Sequence, residues 1–399
     1  MKFRKFVKII IFVLDVFLIE TGTDINAQDS SLILSASNGD YNKVKSLIEA
    51  GCDVNAKDKN GNTALISTML RSATPLVLPS PSNKQDSSTS ARDYLPTELP
   101  YLEISRLLVE SGASVNTQNK DGETALMFAL LDPFHKTEMV SLLLDNGADV
   151  NLANNDGRTP LMLAASVAKD PKIVIELLEN GADPNIKDKD GNTSLIRVVS
   201  KSVYSVRGRI NQQGVMRIEE PMYLGIIETL LKYGADPDVQ DCEGRTALML
   251  AASNCFGQTN IVRLMLENDA DVCVKDVYGR TALMYASEYG YFRQNNRIAW
   301  KCGYRSTSST AMVNLLIEGG AEVNEKDYDG KTALMAAVAA GHETIVKALL
   351  NAGADVNTID ENNHTVLDYA IKKELNYYDS PNKIKEILLE EGAVSGRNG

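Results

Sequence analysis

One short unit, threonine, a variable residue, leucine and a further side chain, recurs eight times along this chain and limits its fold more than any other feature. The copies begin at Thr63 (TALI), Thr124 (TALM), Thr159 (TPLM), Thr193 (TSLI), Thr246 (TALM), Thr281 (TALM), Thr332 (TALM) and Thr365 (TVLD). Most run on into a second apolar stretch of Ile/Val-x-x-Leu-Leu character and close on Gly-Ala-Asp-Val-Asn, as at Gly147 to Asn151 and Gly353 to Asn357. A further copy, Ser31 to Asn55, lacks the Thr unit but keeps Leu47 and a closing Gly51-Cys52-Asp53-Val54-Asn55. Nine copies are therefore expected, the first of them truncated. Self-similarity of this kind means stacked supersecondary units, not the two or three separate domains that 399 residues would otherwise suggest.

Each element of the unit has a physical task. Threonine is suited to cap a first helix, its hydroxyl accepting from an otherwise unpaired backbone N–H. Pro160 then falls at the first helical position, where its missing donor costs nothing. Five residues after each threonine stand Thr68, Ala129, Ala164, Val198, Ala251, Ala286, Ala337 and Ala370, small or β-branched as close helix approach requires. The glycine after the second apolar stretch fits a left-handed helix end. Asn60-Gly61, Asp121-Gly122, Asp156-Gly157, Asp190-Gly191 and Asp329-Gly330 are pairs able to reverse a hairpin. A helix pair this short cannot bury its apolar face alone, so its stability must come from the next layer.

This pattern closely resembles the ankyrin repeat, with its Asp-Gly-x-Thr-Pro-Leu-His opening and Gly-Ala-Asp-Val-Asn close, over residues 29–394. The resemblance implies an all-α solenoid of helix-turn-helix pairs with short β-hairpin fingers. Two departures are consistent. Proline is usually replaced by alanine, and the family's histidine is Met, Ile or Asp in every copy, so a thioether is expected to fill space that the family gives to a hydrogen-bonded imidazole.

Three copies are longer than the rest. Successive threonines lie 61, 35, 34, 53, 35, 51 and 33 residues apart. From each threonine to its closing Gly (or Asp269), ordinary copies span 21 to 23 residues and the last 27, whereas the long ones span 49, 41 and 39. The excess falls between the first and second helices of repeats two, five and seven, on the edge of the stack away from the hairpins. Ser72 to Pro100 is rich in Ser and Pro, a composition expected of an unstructured loop. Lys201 to Pro221 is locally +2. Glu288 to Thr307 interleaves Tyr289, Tyr291, Phe292, Trp300 and Tyr304 with Arg293, Arg297, Lys301 and Arg305 and is +3. Aromatics with arginine are the side chains most enriched at interface hot spots; a fold-back over helix ends, or a merely solubilising charge, is the competing reading.

In the family, partners lie along a face made by hairpin tips and first helices. By resemblance the residue four after each threonine faces it: Ser67, Phe128, Leu163, Arg197, Leu250, Tyr285, Ala336 and Tyr369. These differ from copy to copy while their neighbours do not, which means either solvent exposure or contact; Phe128, Arg197, Tyr285 and Tyr369 are the candidates for contact. The hairpin tips carry Asp58, Asp121, Asp156, Asp190, Glu243, Asp329 and Glu361, acids that turn chemistry explains and that lack calcium-loop spacing.

At the N-terminus, basic Met1 to Lys8 precedes an apolar Ile9 to Ile19 and a polar stretch ending at Ala27, the three-part layout of a signal peptide, with Asp15 opposing it. Export is the preferred reading, against an uncleaved anchor or an ordinary helix; without export the chain would be cytoplasmic. The domain plan is a signal peptide over 1–27, repeats over 28–394 and a tail over 395–399. A net charge of −12 argues against nucleic acid and for a protein partner. Among Cys52, Cys242, Cys255, Cys273 and Cys302 there is no C-x-x-C pair and no zinc spacing; one disulfide stays open. His135, His342 and His364 stand in no nucleophile or metal motif. No catalysis, cofactor or metal is expected, nor a membrane span once the signal is removed. The expectation is a monomeric protein-binding scaffold; the alternatives are an exported assembly protein, or an accessory or effector whose partner supplies catalysis.

Overall fold

A computed structural model describes residues 26–73, 100–132, 136–167, 171–205, 220–253, 259–288, 293–294, 297–298, 307–374 and 383–396. They divide between two compact units, Met1–Asn155 and Asp156–Gly399. The first unit holds α1 (Ala27–Ser37), α2 (Tyr41–Glu49), α3 (Ala64–Ala73), α4 (Tyr101–Glu110), α5 (Ala125–Ala129) and α6 (Lys136–Asp145). The second holds α7 (Pro160–Val167), α8 (Lys172–Glu179), α9 (Ser194–Ser205), α10 (Glu220–Lys232), α11 (Ala247–Ala252), α12 (Thr259–Leu266), α13 (Ala282–Ser287), α14 (Thr307–Glu318), α15 (Ala333–Ala340), α16 (Glu343–Asn351), α17 (Val366–Glu374) and α18 (Lys383–Glu390). Among the described residues, odd-numbered helices are the first and even-numbered the second of nine pairs. Within each unit, first helices pack on first helices and second on second, layer by layer.

The first copy departs from expectation. It is a complete helix pair, not a truncated one, and Asn26 does the capping that threonine does elsewhere, accepting from the Gln28 and Asp29 N–H groups. Asn26 and Ala27, both inside the stretch read as leader, therefore belong to the first helix and its cap, while residues 1–25 lie outside the described residues. In six other copies the threonine hydroxyl accepts from the N–H three residues on, for example Met249 to Thr246 at 3.3 Å.

The eight positions five residues after threonine are all buried, from 0% exposed at Ala129 to 3% at Ala370. Their small size lets adjacent first helices come together, and the one hydroxyl among these eight positions, that of Thr68, returns to the Ala64 carbonyl at 2.8 Å. Met127, Met162, Met249, Met284 and Met335 are buried beside them, so thioethers do occupy the place of the family's imidazole.

Between layers the last residue of Gly-Ala-Asp-Val-Asn acts as a clamp. The Asn185 amide donates to the Gly234 carbonyl at 2.9 Å and accepts from the Asp236 N–H at 2.8 Å. Asn55, Asn116, Asn324 and Asn357 make the same two bonds to the layers that follow them. Two interfaces differ. Asp238 accepts from the Asp271 N–H but, as a carboxylate, has nothing to donate, and Cys273 offers only its sulfur, to the Glu322 N–H.

The last layer has an ending of its own. Asp368 stands where other copies carry a buried Met or Ile. Its carboxylate accepts from the Thr365 N–H, the Ser395 hydroxyl at 2.6 Å and the Gly396 N–H at 2.9 Å. Residues 395 and 396, assigned above to a tail, thus belong to the folded domain. Burial pushes this carboxyl up, but the donors, Ser395 foremost, outweigh it and hold it down at about 2.

The added residues fall between helices. Residues 74–99, 206–219 and, except 293–294 and 297–298, 289–306 lie outside the described residues. The second stretch is shorter than Lys201 to Pro221, because Lys201–Ser205 continues α9 and Glu220-Pro221 opens α10. No helix among the described residues is long and apolar enough to cross a membrane.

Leu283, 1% exposed in α13, should cost about 2–5 kcal/mol of unfolding free energy when replaced by Ala, read by urea denaturation. For Asp368 the folded pKa lies below the usual ~3.9 of a free carboxyl, so its stabilisation is present above pH ~4 and is lost as the pH falls through about 2. Asp368→Asn should cost about 1.5–3 kcal/mol at neutral pH and flatten the acid limb of the stability curve; an unchanged limb would show that the tail is not held there.

Candidate protein-binding surface

The surface is built from the fingers that join one repeat to the next, and each finger is organised by one carboxylate or amide. In the finger before repeat seven, Asp276 Oδ1 accepts from the Tyr278 N–H at 2.8 Å and the Arg280 N–H at 2.9 Å. The turn is closed by Gly279 N–H on the Asp276 carbonyl at 2.9 Å. Asp58, Asp188, Asp241, Asp327 and Asp360 do the same, and Asn119 substitutes for one of them. Successive fingers are tied by single backbone bonds, as from the Tyr328 N–H to the Tyr278 carbonyl at 3.0 Å. The fingers are reversals too tight for extended ladders. Among the described residues strand pairing occurs only between β1 (Arg293–Gln294) and β2 (Arg297–Ile298), antiparallel, inside the insertion of repeat seven.

The second oxygen of the finger carboxylate faces outward along the first helix. On Asp188 it takes the Arg197 guanidinium. On Asp276 it takes Arg280 at 3.0 Å and the Tyr285 hydroxyl at 2.7 Å. On Asp360 it meets His364 Nδ1 at 3.3 Å and takes the Tyr369 hydroxyl at 2.7 Å. Burial first, then the hydrogen bond to the aspartate, holds both phenols well above their usual range. The position four after threonine is thus spent partly inside the protein. Tyr285, Tyr369 and Arg197 present ring faces and stem while their polar ends are bound. Phe128 is a correction: at 7% exposure it packs inward and offers no contact. Arg293 and Arg297 lie on the two short strands, and Tyr291, Phe292, Trp300, Tyr304 and Arg305 fall outside the described residues.

Among the described residues, the exposed aromatic side chains stand at the fingertips of repeats seven and eight. Tyr278 is 59% exposed, Tyr328 64% and Val277 53%. Tyr328 is seated on Gly279: a Cβ there would come within 2.8 Å of the Tyr328 backbone N, and φ is +79°, so glycine is required twice over. The Arg280 guanidinium lies 5.2 Å from the centre of the Tyr278 ring and 4.4 Å from that of Tyr285, two cation–π contacts. It also reaches Glu288 at 3.7 Å. A signal for this patch exists in the sequence. The residue before the finger glycine is Asn60, Asp121, Asp156, Asp190, Glu243 and Asp329 in other copies, and only Tyr278 replaces an acid or amide with an aromatic there.

A family model described as "Ankyrin repeats (3 copies)" matches residues 98–200, 219–295 and 303–396. The chain belongs to the ankyrin repeat family. Repeats of this family generally serve as protein-interaction scaffolds. Curated relatives include L-asparaginase of Dirofilaria immitis, 36% identical over 86 residues that cover 22% of this chain and 14% of the relative. Protein phosphatase 1 regulatory subunit 12A of Rattus norvegicus is 35% identical over 82 residues, 21% of this chain and 8% of the relative. Ankyrin repeat and SAM domain-containing protein 6 of the same species is 44% identical over 63 residues, 16% and 7% respectively. The chain thus spans a small part of each relative's length, and what they share with it is the repeat.

Proposed function

We propose that this chain is an exported, non-catalytic scaffold that binds another protein through its fingertips and first helices. The observation that carries this reading is the patch of Val277, Tyr278 and Tyr328 over Arg280. Large aromatic side chains stand out in water at positions where most other copies place Lys, Asp, Glu or Asn, and the hydrogen bonds of the turn are made by the backbone whatever side chain stands there. Tyrosine and arginine are the residues most often found to dominate binding energy at interfaces, and a charge of −12 favours a protein over a polyanion. The basic, aromatic insertion Glu288 to Thr307 begins beside this patch, since Glu288 touches Arg280, and we assign it a supporting contact. Export rests on the layout of residues 1–27. Because Asn26 caps α1, processing on its N-terminal side would leave the first repeat whole.

Affinity purification with the full chain, with Tyr278→Ala/Tyr328→Ala, and with residues 288–307 deleted tests the surface. The double replacement should weaken capture of a specific partner by about 2 kcal/mol or more; equal recovery from all three forms would remove the case for this face. Mass spectrometry of the protein from culture medium and cell fractions tests export. A mature N-terminus at or before Asn26 is expected, whereas an intact Met1 confined to the cytosol would sink the claim.

A further inference from the structure

The finger carboxylates of the second unit provide their own internal comparison. Asp188, Asp241, Asp276 and Asp360 are buried, between 3% and 7% exposed, because a side chain four residues on, nine residues on, or both, closes over the outer oxygen. The covering groups are Asn192, whose amide is shared between both oxygens, and Arg197 on Asp188, Arg245 on Asp241, Arg280 and Tyr285 on Asp276, and His364 and Tyr369 on Asp360. Asp327, in the finger before repeat eight, has neither cover. Its Oδ1 organises the turn as usual, taking the Asp329 and Lys331 N–H groups at 3.0 and 2.8 Å. Lys331, four residues on, turns its ammonium to Asp329 at 2.6 Å. Nine residues on stands Ala336, which reaches no further than its methyl group. Among the described residues no side chain donates to the Asp327 carboxylate, and Asp327 is only half-buried.

The result is a notch one side chain deep. Helix α15, which carries Ala336, packs between α13 and α17, and these present Tyr285 and Tyr369 at the equivalent positions on either side. Tyr328, next to Asp327 in the same finger, is exposed. Charges of both signs surround the notch: Asp327 acts on Glu288 and, with Asp329, on the Tyr369 phenol, and Lys331 acts on Asp327 from a distance, but the bases at the rim, Arg280 and Lys331, make their close pairs with Asp276 and Asp329.

We propose that this notch takes an arginine side chain from a segment of the partner protein. The guanidinium would rest on Asp327, and the stem would lie over Ala336 between the two tyrosine rings. A neighbouring apolar residue of the segment would pack on Tyr278 and Tyr328. The chain shows the contact in its own repeat five, where Arg197 covers Asp188 from the position that Ala336 occupies in repeat eight. Arginine fits better than lysine because its planar group stacks on aromatic faces while its edge meets a carboxylate. The inference rests on the reading of this face as protein-binding and names the chemistry that the face selects.

Random short peptides displayed on phage would be selected on the immobilised full-length chain, and the enriched sequence synthesised for calorimetric titration. An arginine beside an apolar residue is expected in that sequence. Its affinity should fall about tenfold when the notch is filled by Ala336→Tyr, the residue that repeats seven and nine carry there. Asp327→Asn should weaken it similarly, and exchanging the peptide arginine for neutral citrulline should then cost little further, a coupling that a double-mutant cycle reads. Unchanged thermal unfolding of Asp327→Asn and Ala336→Tyr would certify the fold of both. Peptides that bind through Tyr278 and Tyr328 but ignore both notch substitutions would overturn the notch and leave the face standing. Failure to enrich any peptide sensitive to these four positions would overturn both.

Discussion

Everything in this protein depends on how closely one first helix can lie against the next. The seam between them is lined by alanine, valine or threonine with its hydroxyl turned back into its own helix, and a larger side chain at any of these positions would push two layers apart. That spacing lets the backbone of one finger donate to the carbonyl of the finger before it. It also brings the clamp asparagine within reach of the carbonyl and N–H of the following layer. Hydrophobic burial supplies the drive, as it must for units too short to fold alone, but the small residues set the distance at which each polar tie can form.

Within that spacing the finger aspartate has two oxygens with separate duties. One is fixed by the turn, accepting two backbone N–H groups in copy after copy. The other is free to be covered by a residue later in the finger or by the first helix, and arginine, histidine, tyrosine, asparagine and alanine all occur around it. Variation along this face is therefore not noise on an exposed surface. It decides, repeat by repeat, whether a carboxylate is sealed or left open, and whether an aromatic ring is held side-on by its hydroxyl or stands clear in solvent.

Much of this was legible in the sequence. The period predicted the helix pairs, the threonine caps, the glycine-ended second helices and the buried small positions, because each is dictated by backbone geometry within a single repeat. What escaped notice depended on contacts with other repeats or on a substitution of role. The first copy read as truncated because Asn26 caps it in place of threonine. Phe128 read as a surface residue, although its register does not decide whether a ring turns outward or packs down. Asp368 read as a mere variant of methionine, since its partners Ser395 and Gly396 lie almost thirty residues away. Tyr278 and Tyr328 break the polar pattern of the fingertips, a departure that a comparison of the copies exposes, whereas the acids around them only follow the rule of the turn.

The two altered clamps have a mechanical meaning. Asp238 and Cys273 sit on the two sides of repeat six, and each replaces an amide that both gives and receives a hydrogen bond. On one side Asp269 also stands in for the customary glycine, at φ +61°, a backbone setting that costs a non-glycine residue on the order of 1 kcal/mol. Within the second unit, repeat six is thus the layer that lacks the two-way asparagine clamp on both of its sides. Cooperative units in such stacks part where neighbour coupling is lowest, so slow breathing of the second unit should centre on this layer. The aromatic fingertips on its C-terminal side would then be carried on a compliant joint, able to adjust their angle to a partner without disturbing the helices that hold them.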